Sequence, residues 1–153
     1  MKTFDAIVIG AGPGGYPCGI RLGQLKQKVL VIEKESPGGV CLNWGCNPSK
    51  AIIKAANAYE KVKHGGMGLK ITGASVDSNE LQDWKDGIVK RLTGGVRSLL
   101  KMNGAELMMG SAVVTSPNTV EVTGEGGQKE TFKADKAIVL ATGATTIELP
   151  TFK

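Results

Sequence analysis

The feature that most constrains this chain is the loop GAGPGG, Gly10 to Gly15, set between an apolar run and a segment with helical spacing. Phe4 to Ile9 reads as a buried strand, Pro13 to about Lys26 as a helix, and Val29 to Ile32 as a second strand closing on Glu33. So compact a strand, glycine turn, helix and strand implies a parallel pair joined by a right-handed crossover. The parent fold is α/β, a doubly wound parallel sheet of Rossmann type. Pro17 falls beyond the first turn of a helix that begins at Pro13, so a kink is expected there.

Gly10, Gly12 and Gly15 stand in GxGxxG spacing. Gly10 makes the tight turn, Gly12 lets backbone approach a pyrophosphate, and Gly15 permits close helix packing. The helix N-terminus stabilises phosphate charge, and Glu33 can accept hydrogen bonds from an adenosine ribose. An acid at that position disfavours a 2′-phosphate, which points to FAD or NAD rather than NADP.

The chain has 153 residues, 41% of them hydrophobic, enough for one domain with a real core. Its 22 glycines cluster at turns and helix starts, which suggests backbone approaching a ligand. The net charge of +5 comes from scattered lysines with no aromatic-rich basic stripe, so nucleic acid is not the expected partner. No run approaches the roughly 18 apolar residues of a membrane span, and no secretory signal is read at the N-terminus. Three unevenly spaced cysteines do not form the framework of a secreted disulfide scaffold, so a cytoplasmic enzyme is expected.

Beyond Glu33, a loop from Lys34 to Gly45 leads to a helix over Pro48 to about Lys63, stopped by His64, Gly65 and Gly66. A further helix is expected from about Glu80 to Met102, where Gly87, Gly94 and Gly95 mark close packing or a kink. Leu107 to Thr115, Thr119 to Val122 and Glu130 to Lys133 read as a small antiparallel meander, with the turn GEGG between the last two. A strongly apolar strand, Lys136 to Ala141, then runs to a glycine turn at Thr142 and Gly143. No internal repeat or dividing linker is present.

The most specific segment is GGVCLNWGCNPSK, Gly38 to Lys50. In a regular helix the spacing of Cys41 and Cys46 gives about 7.5 Å of rise and a divergence of roughly 140°, too far for a disulfide. The two cannot share one continuous helix. With Cys41 in the approach loop and Cys46 at a helix start the pair can close, and the helix end stabilises a Cys46 thiolate. Two cysteines without a nearby His or Cys set do not close a zinc site, so no metal is expected. A pair of unpaired core cysteines poorly explains the flanking glycines and the polar Asn43, Asn47 and Ser49. Cys18 reads as a small buried hydrophobe.

This segment resembles the active-site stretch of the pyridine nucleotide-disulfide oxidoreductases, and CLN before the second cysteine with PSK after it looks most like the dihydrolipoamide dehydrogenases. DWKDGIVKRLTGGV (83–96) and IVLATGA (138–144) resemble the same family. The departures are Asn47, where an aliphatic residue is usual, and Pro17, where a helix-compatible residue is usual.

The resemblance implies an FAD-binding domain of the glutathione-reductase type, with residues 1–153 as its N-terminal segment. FAD would lie with its pyrophosphate over Gly10, Gly12, Pro13, Gly14 and Gly15 and its adenosine ribose at Glu33, with Lys34 also among the cofactor-binding residues. Gly38, Gly39 and Val40 would supply backbone near the cofactor, Ala112 would meet the adenine, and Thr142 and Gly143 would close on the flavin side. Cys41 would be the accessible interchange thiol, Cys46 the inner thiol facing the flavin, and Lys50 a cation near the ring. Trp44 could cover the disulfide or pack, and His64 reads as a solvated helix end. Electrons from dihydrolipoamide would pass through the cysteines and FAD to NAD.

Members of that family are longer, with an NAD-binding domain, a segment completing the FAD domain and a dimer-interface domain that supplies a His and Glu pair. None is read before Lys153, so a shortened chain, inactive alone, is expected. The intact enzyme would be a homodimer serving a dihydrolipoyl-bearing acyltransferase of a 2-oxoacid dehydrogenase complex. Glutathione reductase, mercuric reductase and soluble transhydrogenase are the rivals within the fold. A non-catalytic nucleotide-binding module and an NAD-only dehydrogenase are the rivals outside it.

Overall fold

The computed structural model describes residues 1–65, 68, 70–145, 147 and 151. Along the chain come β1 (Lys2–Ile9), α1 (Gly15–Gln24), β2 (Val29–Glu33), α2 (Gly39–Asn43), α3 (Cys46–His64), α4 (Ser78–Met102), β3 (Ala105–Met109), β4 (Ser111–Ser116), β5 (Thr119–Thr123) and β6 (Lys129–Leu140). The strands form a six-stranded sheet in the order β3-β2-β1-β6-β5-β4. β1 pairs in parallel with β2 and β6, and β2 in parallel with β3, while β4, β5 and the first half of β6 pair antiparallel. The parallel core and the meander of the sequence reading are both present.

Alternation along the buried strands divides the core into two faces. Val8, Val29 and Val31 point toward the helices and pack with Leu42, Val96 and Leu100. Ile7, Ile9, Leu30 and Ile32 point the other way and pack with Val120, Val122 and Phe132 from β5 and β6. On that face the rings of Phe4 and Phe132 lie 6.0 Å apart in a tilted pair. Among the described residues helices therefore cover one face of the sheet and the meander strands cover the other.

Several local expectations change. Leu107 to Thr115 is not one strand, because Gly110, at φ +158°, divides it. The first part, β3, joins the parallel sheet and only the second enters the meander. Conversely, Glu130 to Lys133 and Lys136 to Ala141 belong to a single long strand, β6, which leaves β5 and continues along β1. The α1 helix begins at Gly15, two residues later than expected. Pro17 thus falls in its first turn, where an amide has no intrahelical acceptor, and no kink is required. The α3 helix stops at His64 with Gly65 at φ +63°. The stop expected at Gly66 lies outside the described residues, as does the terminal LPTFK apart from Thr151.

The longest helix, α4, starts at a true cap: the Asp77 side chain accepts from the amides of Asn79 at 2.8 Å and Glu80 at 3.0 Å. It is continuous through its glycines. Gly87, Gly94 and Gly95 have open space where a Cβ would stand, so they do not mark close packing. Gly19 of α1 does: a Cβ there would meet Val31 Cγ2 at 2.5 Å and Leu100 Cδ2 at 3.1 Å. This seats α1 against the sheet and α4.

Two substitutions test this packing by urea denaturation. Gly94→Ala should stabilise the fold by about 0.5–1 kcal/mol, because it removes backbone entropy at an open helix position. Leu100→Ala, at a fully buried site, should cost roughly 2–5 kcal/mol.

Candidate functional site

The carboxyl ends of β1 and β2 carry the glycine loop. Gly10, at φ +100°, donates its amide to Ile32 O at 2.8 Å. A Cβ on Gly10 would collide with the carbonyl of Ala141, and one on Gly15 would collide with the carbonyl of Gly10. Both positions therefore require glycine for backbone contact, as the motif suggests. Gly12 differs, since its nearest neighbour at a Cβ position would be Gly39 Cα at an ordinary 3.7 Å. Among the described residues the amides of Gly12 and Gly14 have no protein acceptor, and no side chain caps α1. The result is an open helix N-terminus with free amides, which is a cradle for an anion.

Glu33 ties this cradle to the loop that follows. Its side chain is buried, 8% exposed, and accepts from Ala11 N at 2.7 Å and Glu35 N at 2.9 Å. In the same place Gly38 N donates to Ala11 O at 2.7 Å, and a Cβ on Gly39 would meet Gly12 Cα at 2.8 Å. Gly110 N donates to Glu33 O at 2.8 Å, which brings the start of β4 and half-buried Ala112 toward this end of the sheet. Thr142 and Gly143 are exposed beyond β6, with Thr142 N against the Gly10 position. Lys34 is exposed, 3.8 Å from the Glu35 carboxylate.

The segment Gly38–Lys50 then builds the cysteine pair. Gly38, at φ +98°, starts the short helix α2, so Cys41 stands in a helical turn and not in an open loop as expected. The amides of Trp44 and Gly45 both donate to Val40 O, at 2.9 and 2.7 Å, which ends α2, and Cys46 opens α3. The two cysteines thus occupy two helices, as the spacing argument requires. Asn43 holds the turn: its amide donates to Gly39 O at 2.9 Å and Pro37 O at 3.3 Å while its oxygen accepts from Ser36 Oγ at 2.9 Å.

Both cysteines are free thiols, Cys41 half-buried and Cys46 exposed. On the surface of this chain Cys46 is thus the more exposed sulfur, whereas the resemblance implies an accessible Cys41 and a Cys46 turned toward the flavin. The Cys41 thiol is held above its ordinary range, chiefly by its hydrogen bond with Cys46 and also by desolvation, while the Lys50 charge pulls it down. Cys46 and Lys50 therefore both act on Cys41. The Asn47 amide also reaches it, 3.4 Å from its carbonyl and 3.9 Å from Sγ.

The pyridine nucleotide-disulphide oxidoreductase family matches residues 4–152 of this chain. The chain belongs to that family. It is 49% identical to dihydrolipoyl dehydrogenases of Geobacillus stearothermophilus and Bacillus subtilis (strain 168), over 97% of this chain and 32% of each relative. A dihydrolipoyl dehydrogenase of Thermus scotoductus (strain ATCC 700910 / SA-01) is 46% identical over 99% of the chain and 32% of the relative. The chain thus spans about a third of the length of these curated relatives.

In this member of the pyridine nucleotide-disulphide oxidoreductases, other singled-out residues fall outside the cradle. His64 pairs with Glu60 at 2.9 Å on the exposed end of α3. Trp44 is 57% exposed, so it is not a core packing residue. Cys18 is half-buried in α1 and packs beside the helix-side core. A concavity lined by Arg97, Lys101 and Glu106 opens at the amino end of β3, opposite the end where parallel sheets bind ligands. Among the described residues no helix is long and apolar enough to cross a membrane, and no group of three or more His, Cys, Asp or Glu could hold a metal ion.

The sequence reading missed Ala11, whose two backbone groups meet Glu33 and Gly38, because its side chain carries no signal. It named Asn43 only as a polar neighbour, although its spacing from Gly39 allows an i to i−4 contact.

Glu33→Ala removes both charge-assisted bonds to Ala11 and Glu35 and should cost roughly 2–4 kcal/mol in urea denaturation. A loss below about 0.5 kcal/mol would contradict the clamp. The raised Cys41 thiol predicts a pH effect of definite sign. For the dithiol form, the contribution of Cys41 to stability is present below the unfolded-state pKa and is lost as pH rises through the raised folded-state value. Peptide-resolved alkylation should accordingly modify Cys41 only as pH rises above the ordinary thiol range.

Proposed function

We propose that this chain is the N-terminal, FAD-binding and redox-disulfide segment of a dihydrolipoyl dehydrogenase. The observation that supports this reading is the backbone contact of Gly12 with Gly39, which brings the uncapped N-terminus of α1 beside the helix that holds Cys41. The residues present fit FAD. The free amides of Gly12 and Gly14 suit its pyrophosphate, with Gly10, Pro13 and Gly15 shaping the loop. Glu33 retains lone pairs for ribose hydroxyls, since each oxygen accepts one amide and can accept more. Lys34, Gly38, Gly39, Val40, Ala112, Thr142 and Gly143 would line the remainder, and Lys50 would supply a cation near the ring.

When bound, FAD would take the two electrons of the cysteine pair and pass them as hydride to NAD held by another domain. The chain itself supplies the dithiol. In this reading Cys41 exchanges with dihydrolipoamide and Cys46 faces the flavin. The exposed flank of Cys46 is then the surface the cofactor would cover, which accounts for its exposure here. The attacking substrate thiol must lose its proton, so the exchange step needs a base, and the one histidine, His64, is engaged with Glu60 at the far end of α3. We assign the base, the NAD site and the dimer interface to domains beyond this one. The working enzyme is a homodimer in the cytoplasm that reoxidises the dihydrolipoyl groups of an acyltransferase in a 2-oxoacid dehydrogenase complex.

A visible spectrum of the protein with FAD tests the assignment. Adding one equivalent of dihydrolipoamide should produce a long-wavelength thiolate-to-flavin band. Cys46→Ser should abolish that band and Cys41→Ser should retain it. An unchanged band in Cys46→Ser, or a flavin spectrum indifferent to dithiol, would remove the basis for the reading.

A further inference from the structure

Cys41 stands in an unusual electrostatic position. On its core side it packs against the helix-facing apolar cluster, which contains Leu42 and Val96. On its other side, among the described residues, the titratable or charged groups acting on it are Cys46 and Lys50, both from α3. Asn47, also from the first turn of α3, is the neutral group that completes this ring. Its amide group donates to Cys41 O at 3.4 Å, and since a carbonyl only accepts, the face turned toward Cys41 is the NH₂ face. The same nitrogen lies 3.9 Å from Cys41 Sγ, a long contact to a neutral thiol that should shorten as the sulfur gains charge.

We infer that Asn47 is a positioning residue for the redox pair, whose side-chain amide stabilises Cys41 as the departing thiolate of dithiol exchange. This rests on the proposal that Cys41 and Cys46 form the exchanging disulfide. A substrate thiolate attacks Cys41 Sγ, breaks the Cys41–Cys46 bond and releases Cys46 as a thiolate. The second substrate thiol gives its proton to solvent and attacks the substrate sulfur of the mixed disulfide. The substrate disulfide forms and Cys41 leaves as a thiolate. The substrate has lost two electrons and two protons, and the cysteine pair has gained the two electrons. A poorer leaving thiol slows the second release, so a donor on Cys41 Sγ acts at that step. The neighbouring Cys46 pushes the Cys41 thiol up, and a donor from Asn47 to the thiolate would work against that tendency.

The test uses Asn47→Leu, which keeps the bulk without the donor, and Asn47→Asp, which keeps the shape but replaces the donor with a carboxylate. Wild-type protein is first equilibrated with glutathione and glutathione disulfide, and the Cys41–Cys46 bond is identified by peptide mass spectrometry. Absence of that bond overturns both the redox reading and this inference. Alkylation of Cys41 by iodoacetamide is then followed against pH in a Cys46→Ser background. Loss of one hydrogen bond to the thiolate should lower the rate near neutral pH roughly three- to tenfold in Asn47→Leu, and at least as much in Asn47→Asp. The alkaline plateau should stay unchanged, because a merely structural change in access would move the plateau instead. A disulfide that forms in the wild type, with profiles that keep their midpoint in both variants, would overturn this inference and leave the redox reading standing.

Discussion

The buried carboxylate of Glu33 holds together what would otherwise be two separate loops. It receives amides from Ala11 in the glycine loop and Glu35 in the following one, and among the described residues no cation pairs with it. A buried carboxylate left without partners would carry a large desolvation cost, so both amides are fixed by necessity. With Ala11 held, its carbonyl takes Gly38 N, and Gly39 comes to rest on Gly12. The short α2 helix starts from that contact and carries Cys41. The tight stop at Val40 then presents Cys46 at the head of α3. Sheet, cradle and cysteine pair form one chain of dependence.

Much of this was legible in the residues. Strand periodicity located β1 and β2, because strands buried on both faces read as apolar runs, and the glycine spacing located the turn between them. The cysteine spacing correctly excluded a single helix. What was not legible depended on tertiary contact. Val40 is an undistinguished residue whose carbonyl ends α2 only because Gly45 can approach it, so the helix around Cys41 was read as loop. Gly110 broke one apparent strand, and the absence of a turn before Lys136 fused two others. The glycines of α4 looked like packing sites, yet their side of the helix faces open space, whereas Gly19 carried the real close contact. The departure at Asn47 was visible in the sequence, but its contact with Cys41 was not.

The order of exposure of the two thiols has a functional meaning within the proposed account. Cys41 is half-buried against the helix-side core, while Cys46 is exposed. In that account the half-buried sulfur would meet the dithiol and the exposed one would meet the flavin, as a relay from dithiol to flavin needs. In the same account the +5 charge of the chain would add a general attraction for an anionic dinucleotide, and the free amides at the α1 terminus would give it a specific seat.

The most direct measurement of the central claim is amide hydrogen exchange of the protein with and without FAD. The account predicts that FAD protects residues 10–15 and residues 38–46 together, because the Glu33 clamp and the Gly12 to Gly39 contact make them a single unit. Protection confined to the glycine loop, with the cysteine segment unaffected, would contradict it.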